Sequence, residues 1–277
     1  MNKRFPSSVV KRQMSNKQKT STNALFDTHA HLQWRDFDKD RNIVIDRAKE
    51  TGVHNIVNIG FDVNSSLEGV KLAERHEGLY ATVGIHPHNA SKFSEDVLGK
   101  MKDLCKNPKV VAVGEIGLDY YRNLSSKEDQ KRAFESQLLL AEELKLPVVI
   151  HDRDAHADVF QTISKLGGRI RGIMHCFTGN KQMAEQYVKL NFLLSFTGAI
   201  TFPKSSELVE IAKWADLTKI LLETDCPWLA PQEVRRKRNE PAFLVYTAKK
   251  IAELREIRLD ELAEATTRNA RRIFQLS

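Results

Sequence analysis

Cysteine is scarce in this 277-residue chain: Cys105, Cys176 and Cys226 are few, odd in number and far apart. That argues against a disulfide framework and favours a reducing, cytoplasmic setting. No Cys-x-x-Cys pair occurs, which argues against a thiolate zinc site. Long apolar runs are missing as well. None reaches the roughly 20 residues that cross a bilayer, so no membrane partner is expected. No G-x-G-x-x-G turn follows the first apolar run, which counts against a dinucleotide-binding sheet.

Acidic residues are absent from positions 1–24, where Lys3, Arg4, Lys11, Arg12, Lys17 and Lys19 stand among Ser, Asn and Gln. These six cations account for most of the formal charge of +7 and leave about +1 for the rest. The isoelectric point therefore says little about the folded part. The stretch lacks periodicity and an apolar core, so a disordered basic tail is expected rather than a secretory signal.

What is present from residue 25 onward is alternation. Apolar or β-branched runs fall at 25–29, 55–60, 79–85, 110–115, 147–151, 171–175, 191–196 and 220–225, separated by amphipathic helical stretches such as 127–145 and 206–215. Two more helices, near 241–254 and 259–274, close the chain. Strands separated by helices pair in parallel, because a parallel neighbour needs a crossover. Eight such units in about 250 residues predict a single-domain (β/α)8 TIM barrel over 25–277.

Polar residues gather at the strand ends. The first run ends in Asp27-Thr28-His29-Ala30-His31, the fourth in Glu115, the fifth in His151, the sixth in His175 and the eighth in Asp225. In a barrel these ends surround one rim, the place where such folds hold their chemistry. Residues i and i+2 of a strand share a side, so His29 and His31 can hold one ion together. Imidazole and carboxylate suit Zn or Mn, and a carboxylate can bridge two ions. Four histidines and two carboxylates suffice for a site of one or two divalent metals. A lone histidine at a strand end is most often structural; six ligand types on one rim are not.

Cations and aromatics lie beside these ends. Arg153 follows His151, and Arg235, Arg236, Lys237 and Arg238 follow the eighth run. They can position phosphate. Tyr120, Phe177 and Trp228 each lie a few residues past a ligand, where a ring can stack a base. A solvated charge run and a packed tryptophan are the plainer readings. Spacing leaves His86 open between phosphate contact, acid and structural residue. It leaves Asp119 open between substrate contact and support for a neighbour. Asp27 is expected to face away from the histidine pair.

Seven motifs together carry a resemblance: FDTHAHL at 26–32, GIHPH at 84–88, GEIGLDY at 114–120, HDRDA at 151–155, HCFTG at 175–179, ETDCPWL at 223–229 and RNEP at 238–241. The chain resembles the TatD family of metal-dependent deoxyribonucleases, within the amidohydrolase-like hydrolases. The resemblance covers residues 25–276. It implies a TIM barrel holding Mg, Mn or Zn that hydrolyses phosphodiester bonds, with 3′→5′ exonuclease action on single-stranded DNA or RNA. It further implies that His29, His31 and Asp225 hold one ion, His151 and His175 the other, and that Glu115 bridges them where many relatives use a carboxylated lysine. Asp225 would be the general base, and His86 a substrate or catalytic contact. One departure is local: the family loop often reads HRGKRNEP, and here Val234 and Arg236 replace its His and Gly.

Two other functions compete. A C–N or C–O hydrolase such as a lactonase or amidase would share the metal set but has little use for several cations and aromatics on its rim. A non-catalytic nucleic-acid-binding barrel would not be expected to keep a whole ligand set. The expectation is therefore a cytoplasmic, monomeric nuclease with single-stranded nucleic acid as its partner.

Overall fold

The computed structural model describes residues 24–276. The expected basic tail, apart from Ala24, lies outside the described residues. Eight strands form one sheet: β1 (Leu25–Ala30), β2 (Val53–Asn58), β3 (Leu79–Val83), β4 (Val110–Asp119), β5 (Val148–Arg153), β6 (Gly172–Met174), β7 (Phe192–Phe196) and β8 (Ile220–Leu222). They pair in chain order, each parallel to the next. One helix follows each of the first seven: α1 (Arg41–Glu50), α2 (Val63–Arg75), α3 (Glu95–Leu104), α4 (Lys127–Leu144), α5 (His156–Ser164), α6 (Lys181–Lys189) and α7 (Ser206–Trp214). After β8 come α8 (Leu244–Leu254) and α9 (Leu259–Ile273). This is the expected (β/α)8 barrel.

Local chemistry sets the helix ends. Asp62 and Ser65 form a reciprocal capping box at the start of α2: Ser65 N donates to Asp62 Oδ1 at 2.7 Å and Asp62 N to Ser65 Oγ at 2.9 Å. Lys145 ends α4 in the left-handed region at φ 56°. Strands buried on both faces read as apolar runs, and they divide their side chains between two cores. Phe26, Val57, Val111, Val149, Ile173, Leu193 and Leu221 fill one, closed by Ala270, Ile273 and Phe274 of α9. Alternate strand residues such as Leu25, Ile56, Val148 and Leu194 pack in the larger core that includes the helices.

The barrel closes between β8 and β1 by a single bridge, Ala30 to Cys226. Backbone bonds from His31 N to Cys226 O and from Asp225 N to His29 O, each 2.9 Å, complete it. Side chains tighten the seam. Asp27 is buried and accepts from Thr224 N at 2.9 Å, Thr224 Oγ1 at 2.6 Å and His29 N at 3.2 Å. Thr28 Oγ1 donates to Leu222 O at 3.0 Å.

Strand ends differ from expectation where the backbone turns. β8 stops at Leu222 and not at Asp225, because Asp225 adopts φ 55°; β6 stops at Met174, with Cys176 at φ 42°. Extended pairing cannot continue through such residues. β4 instead runs on to Asp119. Two glycines allow close passage there. A Cβ on Gly84 would lie 2.3 Å from the Gly114 carbonyl carbon, and Gly117, at φ 145°, lies under the His151 carbonyl.

Candidate metal centre

Glu115 is the hub of the rim. Its Oε2 lies 3.4 Å from His29 Nε2 and 3.9 Å from His31 Nε2. Its Oε1 lies 2.7 Å from His151 Nδ1, 3.5 Å from His86 Nε2 and 3.7 Å from His175 Nε2. One buried carboxylate thus meets five imidazoles, and its two oxygens sort them into two sets. Asp225 Oδ1 joins the first set, 3.6 Å from His29 Nε2 and 3.5 Å from His31 Nε2. The six expected ligands are therefore brought together, with His86 among them.

The donor chemistry fits divalent cations. The Nε2 atoms of His29 and His31 stand 3.1 Å apart and share at most one proton between them. The Nδ1 atoms of both are buried with no hydrogen-bond partner among the described residues. Among the described residues, three groups of His, Glu and Asp have ligand atoms within 4.8 Å of one another: His29, His31 and Asp225; His86, Glu115 and His151; and His29, His175 and Glu223. Nitrogen and oxygen donors at this density, with no thiolate, suit Zn or Mn.

Supporting carboxylates fix the imidazoles. Glu223 is wholly buried, with Oε1 2.8 Å from His175 Nδ1 and accepting from Cys176 N at 2.6 Å. Asp119 Oδ2 lies 3.1 Å from His151 Nε2 and 2.8 Å from His88 Nε2, while Oδ1 accepts from Arg122 N at 2.7 Å. Asp119 thus orients His151, as carboxylates behind ligating histidines do. Spacing assigns neither Glu223 nor His88 a definite role. Glu223 stands two residues before Asp225, and that spacing was the available signal. Asp27 points at Thr224, apart from the ligand groups.

Charge is unevenly shared. Burial opposes ionisation of Glu115, but His86, His175, His151 and His29 outweigh it and hold the carboxyl well below its usual range. Burial likewise opposes charge on Asp225 and is outweighed by His31, His175 and His29, so its pKa is lowered. His175 is pushed up to about 10: burial works against this, and Glu223 and Glu115 overcome it. His86 falls to about 4 through burial and the neighbouring His151.

The expected substrate contacts separate into two kinds. Trp228 is 43% exposed and meets His31 and Trp34 edge-on, each at 5.2 Å between centroids. Trp34 in turn meets Phe61 at 5.5 Å. Arg153 is exposed at the end of β5, as are Arg235, Arg236 and Lys237 after β8. Others are committed elsewhere. Phe177 is only 6% exposed and packs edge-on against Tyr187, so it offers no free face for a base. Tyr120 donates its hydroxyl to Asp158 at 2.6 Å and lies under Lys127. Arg238 makes a bidentate pair with Asp40 at 2.9 and 2.7 Å, donates to Asp36 O and covers Phe37. Its fork is filled from within the protein, which turns this member of the basic run into a loop anchor.

An eight-stranded parallel barrel with imidazoles and carboxylates converging at its strand ends defines a metal-dependent hydrolase architecture. The family model described as TatD related DNase matches residues 26–275. The chain belongs to that family and is a TatD-family metal-dependent hydrolase. It is 43% identical over 254 residues to the uncharacterized metal-dependent hydrolase YabD of Bacillus subtilis, covering 91% of this chain and all of the relative. It is 39% identical over 260 residues to the 3'-5' ssDNA/RNA exonuclease TatD of Erwinia amylovora, again 91% of this chain and all of the relative. The crystal structure of the TatD homologue YjjV from Escherichia coli superposes with a TM-score of 0.87 at 30% identity, over 92% of this chain and all of that one. Among the described residues no helix is long and apolar enough to cross a membrane.

Proposed function

We propose that this protein is a 3′→5′ exonuclease that hydrolyses phosphodiester bonds of single-stranded DNA or RNA. The division of five imidazoles between the two oxygens of Glu115 carries the reading. In it His29, His31 and Asp225 would hold one divalent ion, His151 and His175 would hold a second, and Glu115, whose oxygens reach both sets, would serve each. The nitrogen-rich donors favour Mn or Zn over Mg. When bound, such ions supply Lewis acidity that stabilises charge on the phosphate and makes water more acidic.

The remaining work falls to the chain. Asp225 is ionised, 13% exposed at its side chain, and held at φ 55° toward His29 and His31. It accepts a proton from the attacking water. The water oxygen bonds to phosphorus, the bond to the 3′ oxygen of the preceding nucleotide breaks, and that oxygen takes a proton from solvent to leave as a 3′ hydroxyl, while Asp225 returns its proton to solvent. Glu223 and Asp119 keep His175 and His151 aimed through this change. Neutral His86, beside Glu115, contacts the phosphate, and Arg153 binds phosphate further out. Trp228 stacks the base nearest His31. The relatives named as exonucleases support this substrate. Three free cysteines suit action in the cytoplasm, and we propose a monomer.

The test is degradation of a 5′-labelled single-stranded oligonucleotide in Mg²⁺, Mn²⁺, Zn²⁺ or EDTA, beside a Glu115→Ala variant. A metal-dependent ladder shortening from the 3′ end, and lost in the variant, is expected. A folded, metal-loaded protein that cuts neither DNA nor RNA would redirect the reading to small esters and amides.

A further inference from the structure

Tyr121 stands in the turn after β4, two residues past Asp119, and is 59% exposed. A single exposed ring needs no explanation by itself. This one is prepared for a ligand in three independent respects. Its ring carries the Arg153 guanidinium at 4.1 Å from the centroid, with Arg122 at 5.7 Å. No carboxylate among the described residues pairs with Arg153, so its charge remains available. The turn is also rigidly fastened. Arg122 N donates to Asp119 Oδ1, Asp119 N donates to Gln130 Oε1 at 2.8 Å, and Tyr120 N donates to Arg153 O at 2.9 Å.

Its place in the barrel gives the ligand. β4 and β5 lie four strands away from β8 and β1 in an eight-stranded ring. The turn of Tyr121 and the end of Arg153's strand therefore lie on the opposite side of the ring from the segments that carry Trp228 and Trp34. An aromatic face beside an unpaired cation binds a base and its phosphate together, because every base has a π face and every linkage a charge.

We infer that Tyr121 and Arg153 form a second nucleotide subsite, holding a base of the same single strand across the metal centre from Trp228. The inference rests on the nuclease reading and adds to it a minimum substrate length. It predicts that a strand long enough to engage both platforms is favoured over a dinucleotide.

The experiment compares kcat/KM for a single-stranded ten-mer with that for a dinucleotide, using the metal-loaded enzyme. The wild-type protein prefers the ten-mer. Tyr121→Ala lowers that preference roughly tenfold, with the loss in KM more than in kcat, which is what a stacked base contributes. Tyr121→Phe keeps the ring and restores the preference, which separates stacking from misfolding. An unchanged ten-mer to dinucleotide ratio in Tyr121→Ala, with cleavage intact, overturns the subsite alone. Absence of cleavage of either substrate by wild-type enzyme removes the nuclease reading and the subsite together.

Discussion

Removing the Glu223 carboxylate tests how the metal centre is supported. Its Oε1 serves two groups at once, His175 Nδ1 at 2.8 Å and Cys176 N at 2.6 Å, and no part of it reaches solvent. Glu223→Ala leaves the partly buried Cys176 N–H without its acceptor, which costs about 1–3 kcal/mol of folding stability at most. It also frees the His175 ring to turn. Loss of a carboxylate behind a ligating histidine lowers metal affinity or activity by about 10–100-fold, equivalent to roughly 1.4–2.7 kcal/mol. Glu223→Gln keeps an oxygen in place for Cys176 N and loses only the charge, so its melting temperature is expected between those of wild type and the alanine variant. Affinity is read by competing Zn²⁺ or Mn²⁺ against a chromophoric chelator, and stability by thermal melting of metal-free protein. An alanine variant that binds metal within twofold of wild type, with unaltered turnover, would refute the supporting role.

Other perturbations separate further parts of the reading. Asp225→Asn removes the proton acceptor and lowers kcat/KM by about 10²–10⁴-fold; metal content measured alongside shows how much of that is lost ion. Burial raises the Asp27 carboxyl from 3.8 to about 7 against its bonds from Thr224 and His29 N. The folded state therefore binds the extra proton between those values, and stability falls as pH rises from about 4 to about 7, by at most about 4 kcal/mol. Asp27→Asn mimics the neutral acid, so melting curves across that range should show a flatter slope in the variant. Replacing Arg235, Arg236 and Lys237 together by alanine is expected to reduce the log–log salt slope of single-strand binding by about two, at roughly 0.7 per phosphate contact. An unchanged slope would make the loop a solvated face.

Much of the fold could be read from the chain before any coordinates, because parallel strands buried on both faces must be apolar runs and their crossovers must be helices. The ligand types were legible for a related reason. A polar residue ending an apolar strand has no packing role, so His29, Glu115, His151, His175 and Asp225 stand out against their neighbours. Strand ends were less legible where a single residue turns the backbone, as Asp225 does at φ 55°. Spacing was also silent on side chains whose partners come from distant positions. Arg238 reads as part of a cationic run, yet Asp40, 198 residues away, fills its fork. Phe177 reads as a rim aromatic, yet it packs on Tyr187.

The sequence alone therefore determined the architecture and pointed to the candidate donors, since periodicity and residue type are local properties. Only the tertiary structure decided how the donors divide. Closing the seam between β8 and β1 carries Asp225 to His29 and His31, and β4 carries Glu115 to the middle, where each oxygen meets its own set of imidazoles. It likewise set Glu223 behind His175 and Arg153 over Tyr121. Those pairings depend on which strands become neighbours around a closed barrel, and no local spacing encodes that.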